Sequence, residues 1–378
     1  MPSPSMKDSF EQESLDPAEG ITRRRKTRDE EDYRERCIDE FDMVILGEEK
    51  IHPADVLDNC APEVAKRARA DAFEQARSAT EEIVCDQFPA TIAIPFHRFL
   101  EGNPQPMRRL HHMRDTWEAL IRFLSAVALS QAAKLDSIQT PLLLRQSESE
   151  NSRECKMNDL YSDRLAIRIG IVEGLVKLAA SNEKLPYFFS LIPEDIPSEM
   201  RRLNVVRNGF SHESAKSDVQ AEKIIEEAYP VLREVLVDLR EVRNIELFRV
   251  ERIRPGSNGG SAEVEKFYGH AQSQRFTNWE LDLAGCNTLT FAGDVDGLHR
   301  VLAKVDSSYI DLSPFMYSIV DSTGYRTRLL EFKQYKRGKW VLECVADSCT
   351  ESFDGKAHKT LLSRFTTLTR DGSNNAQS

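Results

Sequence analysis

Long apolar runs are missing from this sequence. The longest strongly apolar stretch, Leu120 to Ala133, is interrupted by Arg122 and falls short of the roughly 20 residues that a membrane-spanning helix needs, so no transmembrane helix is expected. The opening MPSPSMKDSFEQESLDPAEG carries acid and no apolar core of the kind a secretory leader has, which makes the cytoplasm the expected compartment. Cysteine is sparse: seven in 378 residues, an odd number at scattered spacings, build no disulfide framework and suit a reducing environment. Positive charge is also outweighed. With 51 Lys+Arg against 62 Asp+Glu the net charge is -11, which excludes the global basic field of a protein that coats nucleic acid. Any nucleic-acid site must be local. There is no Walker loop, dinucleotide fingerprint or G-x-S-x-G elbow, so nucleotide hydrolysis and serine hydrolase chemistry lack support. Cys344 and Cys349 have no second Cys or His pair at zinc-ribbon spacing, so no metal and no cofactor are expected.

What is present divides along the chain. Residues 1–28 are rich in Ser, Pro and charge and read as a disordered tail; 29–59 read as an N-terminal extension. From 60 to 243 the apolar residues recur at three- and four-residue steps. One stripe is Leu110, Met113, Trp117, Leu120, Ile121, Leu124 and Ala128; a second is Leu165, Ile169, Val172, Val176 and Ala179. A third runs from Ile224 and Ile225 to Val242, with Pro230 expected to kink or break its helix. Between the last two, Ile196 to Val206 opens on Pro197 and Ser198 as a short helix, and Ala61 to Val84 supplies another. Each stripe must be buried, which predicts an antiparallel all-α bundle.

After about Ile245 the period changes to two, as in half-buried strands: Leu289 and Phe291, Ile310 and Leu312, Leu330 and Phe332, then Trp340, Leu342 and Cys344. Lys336-Arg337-Gly338-Lys339 reads as a hairpin turn, and Gly256-Ser257-Asn258-Gly259-Gly260 as a domain linker. The expected fold class is α+β multidomain: a helical bundle over 60–243, a small β-rich domain over 244–367 and a polar tail over 368–378.

The segment with the most chemical content is Arg201-Arg202-Leu203-Asn204-Val205-Val206-Arg207-Asn208-Gly209-Phe210-Ser211-His212. On an unbroken helix Arg207 and His212 stand about 140° apart; a break at Gly209 would let guanidinium and imidazole converge on one pocket. Among the eight histidines only His212 has an arginine four to six intervening residues upstream. The pair is suited to RNA cleavage without a metal. Imidazole titrates near neutrality and moves a proton to or from a ribose oxygen, while guanidinium holds two phosphate oxygens as charge builds on phosphorus. Asn208 is placed to orient either group. The bland alternative is that Arg207 pairs with Glu199 or Glu213 and His212 caps a helix.

This Arg-Asn-x(3)-His string, ahead of the last long helix of an all-α region, resembles the signature of HEPN-domain ribonucleases. The resemblance covers residues 60–243 and does not extend to the β-rich part. It implies a homodimer through the helical domain with a shared cleft, an acidic residue on an earlier helix that fixes the Arg or His, and a biological role as a toxin or effector in antiphage defence or a toxin–antitoxin system. Glu118 is the expected acid, with Glu173 as the alternate. RNA is the expected partner, met by Arg201 and Arg202 beside Arg207 and by Arg108 and Arg109 at a basic helix start with His111, His112 and Arg114. The β-rich domain is expected to answer a protein or ligand trigger, and no membrane is involved. A non-catalytic, dimeric interaction or RNA- or nucleotide-binding module is the alternative.

Overall fold

The computed structural model describes residues 30, 33–38, 44–46, 49–101, 105–133, 141–145, 152–180, 187–212, 217–256, 259–271, 273–281, 297–320 and 327–369. The expected tails, 1–28 and most of 368–378, and the expected strand at Leu289 and Phe291 lie outside these residues. The chain forms two compact units, 1–79 and 80–378. The first holds a hairpin of β1 (Val44–Leu46) and β2 (Glu49–Ile51), then α1 (Pro53–Cys60) and most of α2 (Pro62–Gln87). Its small core gathers Tyr33, Cys37, Ala54 and Ala72. Arg69 lies over the Tyr33 ring and pairs with Glu30 at 3.0 Å and Asp58 at 2.5 Å.

The second unit carries the long helices and both large sheets. Its helices are α3 (Ala90–Leu100), α4 (Pro106–Ala132), α5 (Leu165–Ala180), α6 (Ile196–His212) and α7 (Asp218–Asp238). Pro106 starts α4, where a missing N–H costs nothing, and the stripe from Leu110 to Ala128 is buried along its length. A short hairpin, β3 (Leu143–Arg145) with β4 (Ser152–Glu154), interrupts the helical run. The C-terminal part forms two five-stranded antiparallel sheets. In the first, β10 (Ser308–Asp311), β9 (Leu302–Val305), β5 (Glu246–Gly256), β6 (Gly259–Lys266) and β7 (Gln274–Leu281) lie in that spatial order. In the second the order is β14 (Thr350–Asp354), β13 (Lys339–Cys344), β12 (Thr327–Lys336), β11 (Met316–Val320) and β8 (His299–Arg300). A last helix, α8 (Gly355–Leu361), closes the fold. The α+β class is thus observed.

Helices and sheets share one core, in which Leu120, Ile121 and Leu124 of α4 join Ile310, Leu330, Phe332, Trp340 and Leu342 of the sheets. The division expected at 243/244 is therefore not a division between compact units, because the apolar faces of the bundle are covered by the strands that follow it. The boundary considered at Gly256 to Gly260 falls within a sheet instead, since Gly256 pairs with Gly259 and Pro255 with Gly260 in the β5–β6 ladder. The turn at Lys336–Lys339 forms as expected, with Arg337 and Gly338 both at positive φ (51° and 78°), as a type I′ connection requires.

Neither Pro230, expected to kink or break its helix, nor Gly209, where a break would have let Arg207 and His212 converge, interrupts a helix. α7 runs through Pro230 because Ile225, Ala228, Leu232, Val235 and Leu236 are all buried. At about 1.5–3 kcal/mol for each buried Ile, Leu or Val among them they offset the roughly 3 kcal/mol cost of an internal proline. α6 likewise runs from Ile196 through Gly209 to His212, since a helical glycine costs only about 1 kcal/mol. At the far end Leu368 and Thr369 are fully buried, and the Leu142 N–H donates to the Leu368 carbonyl at 3.0 Å, so the polar tail starts later than expected.

Trp340 is the largest fully buried side chain, its ring centroid 4.2 Å from that of Phe332 and its Nε1 donating to the Pro314 carbonyl at 2.9 Å. Trp340→Ala should cost about 3–5 kcal/mol. Because the core is shared, native-state hydrogen exchange should show amides of α4 and of β12 losing protection by the same free energy; loosening of the sheet alone would mean that bundle and sheet fold separately.

Candidate functional site

Arg207 is held by α4. Its Nε and Nη2 donate to Glu118 Oε1 at 3.1 and 2.8 Å, and its Nη1 donates to Asn208 Oδ1 at 3.0 Å. Glu118 also accepts from Arg122, one helical turn further on, at 2.8 Å through its second oxygen. Arg122 in turn reaches across to the sheet, where its Nη1 lies 3.2 Å from Glu343 of β13. A continuous chain of charge therefore runs from α6 through α4 to the sheet. Glu118 is 12% exposed and Arg122 15%, so water screens these contacts only in part.

These groups line one cleft of about 260 Å³. Thr91 and Arg98 come from α3, His112, Arg114, Asp115, Glu118 and Arg122 from α4, Arg207 from α6, and Glu331, Lys333 and Glu343 from β12 and β13. The sheet presents carboxylates here by register. Glu331 stands directly opposite Glu343, and the bulge between Phe332 and Gln334 leaves Lys333 unpaired in the ladder, from which its Nζ reaches Glu343 at 2.5 Å. Glu331 is 4% exposed, and among the described residues its buried Oε1 has no hydrogen-bond partner within reach.

Among the described residues Glu331 has no cation within ion-pair distance, which favours its neutral form. Burial pushes its carboxyl up to about 8; Glu343 adds to that, and Arg122, Arg168 and the Thr91 hydroxyl oppose it. His112 is displaced the other way: burial lowers it, aided by Arg98, His111 and Arg108 and opposed by Asp115. Burial also pulls on Arg122, but Glu118, Glu331 and Glu343 more than offset it and hold the guanidinium charged.

The other expected site residues are dispersed. Arg201 binds Glu173, which also takes Lys177 at 2.9 Å, and its carboxyl is held below the usual range by Arg201 and Lys177 against the cost of burial. Glu173 thus serves Arg201 and not Arg207. Arg202 lies 3.9 Å from Glu199. Neither Arg201 nor Arg202 lines the cleft with Arg207, since five and six residues along a helix turn a side chain well away. At the start of α4 Arg108 is exposed, and Arg109 lies 5.5 Å over the Phe99 ring. The side chain of His212 lies outside the described residues; its backbone continues α6, which puts position 212 about 140° round the axis from Arg207. Among the described residues no group of three or more His, Cys, Asp or Glu is placed to hold a metal ion. The carboxylates of the sheet were missed by the sequence reading, although the alternation of Glu331 and Lys333 with buried Leu330 and Phe332 marked that strand as two-faced.

Compared with models of known protein families, with curated proteins and with solved structures, the chain matches none.

Glu331 offers a direct check. Its folded value of about 8 stands above its ordinary 4.5, so between those values the folded chain holds a proton that the unfolded chain has released. Its contribution to stability is complete below about 4.5 and is lost as pH rises through about 8. Glu331→Gln, which cannot ionise, should melt above the wild type at pH values near and above the folded one and match it under acid; equal melting across the range would mean that Glu331 is ionised and satisfied.

Proposed function

We propose that this chain is an endoribonuclease that cleaves RNA at the Arg207 cleft by attack of a ribose 2′-hydroxyl on the adjacent phosphate, without a metal. The observation that carries this reading is the clamp on Arg207. A carboxylate on a separate helix fixes the guanidinium plane, and the cations of the cleft wall, Arg98, Arg114, Arg122, Arg207 and Lys333, outnumber the acids that are ionised when Glu331 is neutral. Such a setting receives one phosphate in a protein whose net charge of -11 repels RNA elsewhere. The spacing from Arg207 to His212, which resembles that of HEPN ribonucleases, supports the same reaction, and with it a role as a defence toxin or effector.

A second reading, a dimeric module that binds without catalysis, draws on different observations. The guanidinium of Arg207 is already bonded to Glu118 and Asn208, and Val205, Val206 and Val219 are exposed near the α6–α7 junction at 70, 37 and 79%. The long apolar stripes of α4 and α7 lend a dimer no support, since they are buried within the chain.

The test is cleavage of RNA in excess EDTA. The nuclease reading requires activity under these conditions, 2′,3′-cyclic phosphate ends, and resistance of substrates with deoxyribose at the scissile position. Arg207→Lys keeps the charge but loses the planar fork, and should reduce kcat/KM by about 100-fold. Binding of RNA with no cleavage by any preparation would favour the second reading.

A further inference from the structure

Transfer to a 5′-oxygen leaving group needs two proton movements, one off the attacking 2′-hydroxyl and one onto the departing oxygen. The motif supplies a single imidazole, that of His212, for these two movements. The Arg207 cleft is lined by two further titratable groups on different elements: His112 of α4, and Glu331 of β12, whose buried Oε1 has no hydrogen-bond partner within reach among the described residues. Buried polar atoms are almost always paired, and one without a partner beside a cleft calls for an explanation, of which a role in proton transfer is one.

We propose that the Arg207 cleft carries its own acid–base pair, His112 accepting the proton of the attacking 2′-hydroxyl and the Glu331 carboxyl donating one to the leaving 5′-oxygen of a phosphodiester held by Arg207. As the O2′–P bond forms, the hydroxyl proton passes to a ring nitrogen of His112. As the P–O5′ bond breaks, the carboxyl proton passes to O5′. The products are a 2′,3′-cyclic phosphate and a 5′-hydroxyl; the enzyme is left with an imidazolium and a carboxylate, which exchange their proton through water. Phosphorus is neither oxidised nor reduced, and no co-reactant is needed.

The surroundings keep each group in its starting form. Around Glu331 stand Thr91 of α3, Arg122 of α4, Arg168 of α5 and Glu343 of β13, and burial with the facing Glu343 outweighs the two arginines, so the carboxyl is protonated at neutral pH. Around His112 stand Arg98 of α3 and Arg108, His111 and Asp115 of α4, and burial with the cations outweighs Asp115, so the imidazole is neutral. Two groups pushed in opposite directions are thus both ready at one pH, a pattern that separates an acid from a base. The assignment makes the sheet part of the catalytic centre. It rests on the ribonuclease reading of the Arg207 cleft.

The experiment is single-turnover cleavage of a short RNA with one scissile site, in EDTA from pH 5 to 10, by wild type, R207A, H112Q, E331Q and H212A. The wild-type rate should rise through the His112 titration and fall through that of Glu331. H112Q and E331Q should each slow cleavage at least about 100-fold, H112Q losing the acid limb and E331Q the alkaline one. Both should bind an RNA with 2′-deoxyribose at the scissile position within about twofold of wild type, as expected where only proton transfer is removed. Replacing the scissile 5′-oxygen by sulfur, which leaves without protonation, should restore E331Q and not H112Q; a structural role for Glu331 would give no such rescue. Wild-type rates in H112Q and E331Q with loss in R207A, or loss confined to H212A, would overturn the pair while leaving the ribonuclease reading intact. Failure of the wild type to cleave RNA overturns both, and is told apart by that.

Discussion

Arg122 sits where three parts of the molecule meet, between Glu118 on its own helix and Glu343 on β13, with Glu331 beside it. Removing a guanidinium from water is expensive, and the cost is offset only if carboxylates take water's place in good geometry. That requirement ties together elements remote in sequence. Glu118 must point toward Arg122, and once it does, its other oxygen is left to accept Arg207. Glu343 must stand on the strand opposite Glu331, which sets two carboxyl groups against each other and adds to the burial that keeps one neutral. The site is thus built outward from a desolvated cation on α4.

The shared core makes this arrangement rigid. α4 is buried along most of its length, with Trp117, Leu120, Ile121 and Leu124 on the core side and Glu118 and Arg122 at the edge of the same stripe. A further tie runs from the C-terminal 3-10 turn, where Arg364 donates to the Asp311 carbonyl at 2.9 Å and lies 3.4 Å from Ser130 of α4. Helix and sheet cannot shift independently without exposing apolar surface or stripping a buried charge of its partner. The β-rich part accordingly serves as one wall of the cleft, whatever else it binds.

Much of this was legible in the sequence, and the parts that were not share a physical cause. Helical period marked α4, α5 and α7, and alternation marked β12 and β13, because each element buries one face. An acid on an earlier helix beside Arg207 was implied only by the resemblance to HEPN ribonucleases; the choice of Glu118 for it followed from its place beside the stripe. What periodicity does not carry is which stripe faces which. The bundle was expected to cover itself, and with that assumption the strands became a separate domain. Local breakers were also overrated: Gly209 and Pro230 are outweighed by burial that only the tertiary structure reveals. Glu331 was passed over for the same reason, since a glutamate in an alternating strand reads as solvated until a helix with Arg122 is laid over it.

The most direct test of the account is a crystal structure with a short RNA carrying a 2′-O-methyl group at the scissile ribose, which binds but cannot attack. The account requires the scissile phosphate to lie against Arg207, with the 2′-oxygen toward His112 and the 5′-oxygen toward Glu331. A phosphate seated instead on Arg201 and Arg202, or between two copies of the chain beside His212, would contradict it.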